Sequence, residues 1–218
     1  MSIQRHPMKV MIDLFCGLGG ASRAFCEDPT WEVIGIDNNM VELRNKGDLH
    51  PLGSWHQGCM YDPHHVLHIL DELLYECDVT KMVIWASPPC TDFSTKNPAR
   101  SESDLDTTLL TNTIIVMQEL MKKFNVAQWV IENVRGAVTP FKPILGDYVQ
   151  RIGPFFLWGE FTPLALLDSN TQRHRKPFNK TNSRTPLRGN IHAEVPFAIS
   201  YAFKTSIDSQ TSIMGWVE

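Results

Sequence analysis

The stretch Asp13-Leu-Phe-Cys-Gly-Leu-Gly-Gly20 decides the fold class of this chain. It closes an apolar run, residues 9–14, with a glycine-rich turn, and residues 21–27 after it suit a short helix. Glycines let a backbone turn tightly and approach a ligand, and the next helix offers free N–H groups. A tight turn alone would use the same glycines, so a second feature has to decide. About 20 residues on, the strand 31–37 ends in Asp37, followed by Asn38, where a carboxylate can accept hydrogen bonds from ribose hydroxyls. Strand, glycine turn and acidic strand end together predict a nucleoside-cofactor site.

Outward from this unit, apolar runs bounded by turn residues recur at the spacing of alternating strands and helices. Strands are predicted at 9–14, 31–37, 81–86, 127–132 and 155–158, with a weaker one at 54–60. Helices are predicted at 21–27, 41–45, 63–76 and 105–124; in the last, Leu109, Thr113, Val116, Met117 and Leu120 share one face at three-to-four-residue spacing. These elements imply an α/β fold with a doubly wound, mostly parallel sheet. After Trp158 the pattern decays, and Pro163, Pro177, Pro186 and Pro196 interrupt a stretch rich in Asn, Thr and Arg. Residues 1–160 therefore form the main domain. Residues 161–218 form a small, loop-rich subdomain, for which Phe178, Val195, Phe197, Ile199, Tyr201 and Phe203 supply apolar material. No repeat or low-complexity tract is visible.

With 218 residues and 43% hydrophobic content, the chain can bury one good core. It contains no run near the ~18 apolar residues of a membrane span, and its first strand lies where a signal peptide's apolar core would be. An intracellular, cytoplasmic protein with no membrane partner is expected. The five cysteines are odd in number and include no Cys-x-x-Cys pair, which argues against a disulfide framework or zinc ribbon. Charge is uneven: residues 169–193 contain no acid, whereas Arg173, Arg175, Lys176, Lys180, Arg184 and Arg188 lie there. With a net charge of −4, the remainder carries −10. A phosphate-binding surface would then be local and C-terminal, the alternative being a solvated basic loop.

Two further motifs carry chemistry. Ala86-Ser-Pro-Pro-Cys-Thr-Asp-Phe-Ser94 follows an apolar strand. Its two prolines stiffen the exit from the strand and remove amide donors, which holds the Cys90 side chain in a defined direction. Ile131-Glu-Asn-Val134 ends another strand. Neighbouring strands lie ~5 Å apart, so a thiol and a carboxyl group there can converge on one small ring; capping of the next segment is the other use for Glu132. A thiol nucleophile beside an acid suits attack on an electron-poor ring whose heteroatom is protonated as the bond forms. His64 and His68 form an i, i+4 pair, but apart from Cys59 no further ligand is spaced to join them, and an exposed helix start is expected rather than a metal site.

Phe15-Cys-Gly-Leu-Gly-Gly20, Pro88-Pro-Cys90 with Phe93-Ser94, and Glu132-Asn-Val134 resemble, in order, the cofactor, nucleophile and glutamate motifs of the DNA (cytosine-5)-methyltransferase family. Phe156-Leu-Trp-Gly159, Arg173-His-Arg175 and Glu194-Val-Pro-Phe197 also resemble later segments of short, phage-type members. The resemblance spans roughly residues 9 to 205. It implies the Rossmann-like fold of S-adenosylmethionine-dependent methyltransferases, and a reaction in which the Cys90 thiolate adds to C6 of cytosine while Glu132 holds N3. C5 then takes the methyl group from S-adenosylmethionine, and Arg173 and Arg175 help to hold the base and its backbone. The cofactor contacts it implies are Asp13, Phe15, Cys16, Gly17, Gly19, Gly20, Asp37, Asn38 and Pro88, with either Cys59 or Asp62 at the third-strand position. Substrate contacts are assigned to Ser87, Pro89, Ser94, Asn133, Lys180 and Arg184.

The chain departs from the family pattern at Ser87 and Thr91, which flank the nucleophile where Gly and Gln are usual, and at Thr171 and Gln172 before the arginines. The family's final Asn-containing motif is not recognisable. Roughly 40 residues follow Arg175, short of a usual target-recognition domain. Recognition is then expected from the basic segment or from a partner subunit. DNA with the target cytosine flipped out is the expected substrate, and Phe93-Ser94 favours it. The alternatives are the same chemistry on RNA or a free cytidine nucleotide, and a catalytically silent nucleic-acid-binding module.

Overall fold

A computed structural model describes residues 7–45, 49–90, 93, 105–165 and 195–214. Chain order is β1 (Pro7–Leu14), α1 (Arg23–Cys26), β2 (Trp31–Asp37), α2 (Met40–Asn45), β3 (Ser54–Gln57), α3 (Pro63–Leu74), β4 (Asp78–Ala86), α4 (Thr108–Lys123) and β5 (Val126–Asn133). A 3₁₀ turn (Arg135–Ala137), α5 (Val138–Leu145), β6 (Gln150–Ile152), β7 (Phe155–Glu160) and α6 (Phe197–Met214) follow.

Successive side chains of a strand point to opposite faces, and β1 distributes its apolar residues accordingly. Val10, Ile12 and Leu14 join Val66 and Leu70 of α3 and Val116 and Leu120 of α4 on one face. Met11 joins Val83, Trp85 and Val130 on the other, beneath Phe25 of α1 and Ile199 and Phe203 of α6. The Phe203 ring meets Phe25 at 5.8 Å and Trp85 at 5.4 Å between centroids. Strands buried on both faces are what a parallel sheet requires, and the strands from β1 to β5 pair in parallel. The described residues form one sheet of order β3-β2-β1-β4-β5-β7-β6, with β7 antiparallel to both neighbours. This is the doubly wound, mostly parallel α/β sheet that the sequence predicts.

Several boundaries differ from the sequence-based expectation. The strand expected over 54–60 ends at Gln57, where Gly58 N donates to Asp37 O and the chain turns toward the α3 cap. The helix expected over 21–27 is a single turn, Arg23–Cys26. In α4, Leu110 takes the buried place expected for Leu109, and Leu109 lines a cleft at the sheet's carboxyl end. Helix α5 escaped the sequence reading because it carries Pro140 and Pro143. Pro140 falls in the first turn, where a helix has no acceptor for an N–H in any case. Helix α6 lies within the segment expected to be loop-rich, and its Ile199, Phe203 and Ile207 enter the same cluster as Met11 and Trp85. Phe178, Ser94 and the basic stretch with Arg173, Arg175, Lys180 and Arg184 lie outside the described residues.

Candidate active site

Strand order reverses between β1 and β4, and in such sheets ligands bind in the crevice outside the carboxyl ends at the reversal. The glycine-rich turn follows β1 there. Gly17 and Gly19 have φ of +52° and +80° and Phe15 has φ of +59°. A left-handed conformation costs a residue with a bulky side chain about 1–2 kcal/mol, and such strain tends to persist where a site needs it. The turn is fixed by Cys16 N donating to Ile36 O at 3.1 Å and Gly19 N to Cys16 O at 2.7 Å. Asp37, 6% exposed, accepts from Gly17 N at 3.1 Å through Oδ2 and from Asn39 N at 2.8 Å through Oδ1. A carboxylate offers about four lone-pair sites, so these two bonds leave each oxygen capacity for a hydroxyl donor. Phe15, Asn38, Cys59, Tyr61 and Pro89 line the adjoining cleft with Leu109.

Other residues expected at the cofactor are placed differently. Asp13 is 1% exposed and its Oδ2 accepts from Ser22 Oγ at 2.6 Å, so its carboxylate braces the glycine turn from below. Cys16 is 5% exposed, with its side chain in the core and its thiol donating to Gly17 O at 3.8 Å. Between the two third-strand candidates, Cys59 reaches the cleft, whereas Asp62 caps α3 by accepting from His65 N at 3.0 Å. Helix capping satisfies an N–H that would otherwise lack a partner, which explains an Asp immediately before Pro63. His64 and His68 belong to the exposed side of α3, and His68 pairs with Glu72 at 3.5 Å.

The Pro-Pro-Cys turn leaves β4 beside the end of β5, since Ala86 is in register with Ile131. Ser87 N donates to Leu14 O at 3.1 Å, and Ser87 Oγ accepts from Trp85 Nε1 at 2.9 Å. Pro88 is buried, Pro89 exposed and Cys90 half-buried. Beyond Cys90, Phe93 N donates to Cys90 O at 3.2 Å, and the Phe93 ring, 3% exposed, meets Phe141 of α5 at 5.1 Å. Cys90 is thus held from both sides, by the prolines before it and by a buried aromatic anchor after it. Glu132 is a buried carboxyl at the end of β5. Asn133, expected to touch substrate, is 1% exposed; its Nδ2 donates to Pro88 O at 3.0 Å and its Oδ1 accepts from Val134 N at 2.8 Å. Its side chain ties the Pro-Pro-Cys turn to β5.

Two positioning elements have no signature in the sequence. The Trp55 indole, 7% exposed, sits so close beneath the turn that a Cβ on Gly19 would lie 2.6 Å from its Cη2. Ser200 of α6 accepts from Ala24 N at 3.0 Å and donates to Ala21 O at 2.6 Å, joining the far end of the chain to the segment after the turn. Lys204 reinforces that joint by bonding Asp28 and Asp208, each at 2.7 Å. Burial works to raise Asp28, but hydrogen bonds from Lys204 and Thr30 outweigh it and hold the carboxyl at about 2. In Lys204, burial is likewise outweighed, and Asp208 and Asp28 push the ammonium upward. Burial, aided by the nearby Asp13 charge, pushes the Cys26 thiol up to about 12.

No family model and no curated protein matches the chain. Among solved structures, a prophage-encoded E. coli protein, provisionally described as a DNA modification methyltransferase, is 17% identical with a TM-score of 0.46, over 70% of this chain and 46% of that one. A SAM-dependent methyltransferase from Anabaena variabilis gives 16% and 0.37 over 63% and 49%, and an NAD⁺-bound UDP-glucose 4-epimerase from Bifidobacterium longum 10% and 0.34 over 52% and 34%. The chain spans half or less of each of these proteins, and at such scores they carry neither activity nor ligand across to it.

Proposed function

We propose that the protein is an S-adenosylmethionine-dependent methyltransferase that modifies C5 of cytosine in DNA through a covalent bond to Cys90. The observation that carries this reading is the joint between the two chemical strands: Glu132 lies at the end of β5, Cys90 lies in the turn that leaves β4, Ala86 and Ile131 pair these strands in parallel, and Asn133 bonds the turn that presents the thiol. A nucleophile and an acid fixed to one another suit a single small ring.

The glycine turn fits the cofactor. Its positive-φ backbone brings no side chain against a ligand at Gly17 and Gly19, Asp37 retains lone pairs for the ribose hydroxyls, and Phe15 and Cys59 border the place of the adenine. When bound, S-adenosylmethionine supplies an electrophilic methyl group. This chain's own residues do the rest. With the base flipped out of its stack, Cys90 Sγ bonds to C6 as the thiolate while N3 takes a proton from Glu132. C5 becomes nucleophilic and gains the methyl group. Transfer of H5 as a proton to a solvent water then restores the C5–C6 double bond and expels the Cys90 thiolate, and the N3 proton returns to Glu132. Arg173 and Arg175 are assigned to the base and its backbone.

The test is a trap. Fluorine at C5 blocks the final elimination, so DNA containing 5-fluorocytosine forms a protein–DNA adduct only when S-adenosylmethionine is present. Cys90→Ser abolishes that adduct and Glu132→Gln slows its formation. Parallel arms with RNA and with a cytidine nucleotide identify the substrate form. Methyl transfer that survives Cys90→Ser refutes the mechanism.

A further inference from the structure

We infer that Arg151 and Arg135 form a phosphate-binding rim beside the site and engage the backbone of the polynucleotide strand that carries the target base. This rests on the reading given under Proposed function. Its two arginines are distinct in sequence from the basic segment of residues 169–193.

Register supplies the placement. Asn133 is paired with Phe156, and Phe156 with Arg151. Arg151 therefore starts two strand spacings, ~10 Å, from the residue that ties the Cys90 turn to the Glu132 strand. Directly paired residues present their side chains on the same face, and the Arg151 guanidinium carbon lies 5.3 Å from the centre of the Phe156 ring. That ring is itself braced edge-on by Tyr148 at 5.0 Å. Arg151 Nε donates to Gly153 O at 2.9 Å, so the exposed guanidinium is oriented before any ligand arrives and keeps its terminal nitrogens for another acceptor. Arg135, also exposed, opens the 3₁₀ turn two residues after Asn133.

The electrostatic setting leaves these two cations without a neutralising acid among the described residues, unlike several lysines of the chain. Lys122 is matched to Glu119, Lys123 to Asp71, Lys142 to Asp147 and Lys204 to Asp28. Among the described residues, neither Arg135 nor Arg151 has an ion-pair partner. Glu132, the acid nearest in sequence to this rim, is buried and paired with Leu157, one residue out of phase with Asn133 and hence on the opposite face. A planar guanidinium matches phosphate oxygens two at a time. Two such groups on separate elements, one just after β5 and one in β6, offer contacts to more than one phosphate of a strand, and contacts of this kind set the position of a nucleic acid without reading its sequence.

The experiment titrates a fluorescein-labelled, cytosine-containing oligodeoxynucleotide, single-stranded and duplex, over a series of salt concentrations. S-adenosylmethionine binding is followed separately by calorimetry. Each phosphate contact contributes about 0.9 to the log–log salt slope on duplex and about 0.7 on a single strand. Arg151→Gln and Arg135→Gln should each lower the slope by about that amount and the double variant by about twice as much, at any cytosine-containing sequence. Arg151→Lys, which keeps the charge, should retain the slope even if loss of the stacked guanidinium makes Arg151→Gln unstable. Lys122→Gln, in the last turn of α4 at the opposite end of the sheet, should leave it unchanged. Cofactor and cytidine monophosphate affinities should not move in any variant. If the wild type binds cofactor and oligonucleotide but both arginine variants keep its slope, the rim is refuted and the methyltransferase reading stands. If the wild type binds cofactor but no oligonucleotide, the rim and the DNA substrate fall together. If it binds no cofactor, the proposed function falls and the rim, which rests on it, falls too.

Discussion

Gly35→Ala adds one methyl group in the middle of β2, and the structure specifies what that group meets. Its Cβ would lie 2.3 Å from Trp55 Cε3 and 2.9 Å from Cys16 Sγ. No positive φ is involved at Gly35, so alanine is conformationally acceptable, and by restricting the unfolded chain it would on its own stabilise the protein by about 0.4–1 kcal/mol. Overpacking of a filled core costs about 1–3 kcal/mol, and with a rigid indole as the obstacle the net loss should be about 1–2 kcal/mol. Gly19→Ala meets the same indole at 2.6 Å but also has φ of +80°, which adds about 1–2 kcal/mol of backbone strain. Urea denaturation followed by circular dichroism, in wild-type and Trp55→Leu backgrounds, separates these terms by a double-mutant cycle. In the Trp55→Leu background the Gly35→Ala penalty should vanish or change sign, because the Cys16 thiol is the end of a side chain and can yield. The Gly19→Ala penalty should fall but keep its strain component. Equal cost of Gly35→Ala in both backgrounds would refute the idea that the Trp55 indole sets the position of the glycine turn.

Asp37→Ala removes the two acceptor oxygens at the end of β2 and should weaken S-adenosylmethionine binding by about 1–3 kcal/mol; unchanged affinity in a folded variant by calorimetry would withdraw Asp37 from the ribose. The Asp28–Lys204 joint makes docking of α6 pH-dependent. Asp28, held at about 2 in the fold, contributes stability present above its unfolded value near 3.9 and lost as pH falls through about 2. The raised Lys204 contributes stability present below its unfolded value near 10.4 and lost at still higher pH. Because the Asp28 side chain is 25% exposed, solvent screening limits the Asp28 part to about 1–2 kcal/mol, and Lys204→Met should flatten the acid limb of a stability–pH profile. Cys26, with its thiol pushed up to about 12, should resist iodoacetamide at pH 8 in the folded protein and react only on unfolding; rapid native alkylation, read by mass spectrometry, would contradict its burial.

The sequence by itself determined the strands of the sheet core and the residues at their carboxyl ends. Runs such as 9–14 and 81–86 are apolar without alternation, which only a strand covered on both faces requires, and glycine, proline and acidic residues at strand exits act within a few positions of themselves. The turn at Phe15, Gly17 and Gly19 and the placement of Asp37, Cys90 and Glu132 at the carboxyl end of the sheet were legible for that reason. Their order along the sheet, and everything that depends on which strand end meets which, was decided by tertiary structure. The bond from the Asn133 amide to Pro88 O becomes visible only when β5 is laid beside β4. The burial of the Cys16 and Asp13 side chains, and the Asp13 bond to Ser22, are likewise features of the packed fold. The cap that Asp62 places on α3 and the position of Cys59 in the cleft also emerge only from the fold. Ser200 bonds residues more than 170 positions away, and Arg151 reaches the neighbourhood of the site only through two antiparallel pairings. Local signals record the conformation a few residues adopt; the partner of a buried donor, the neighbour of a ring and the face of a cation are fixed by packing between segments that the chain order leaves far apart.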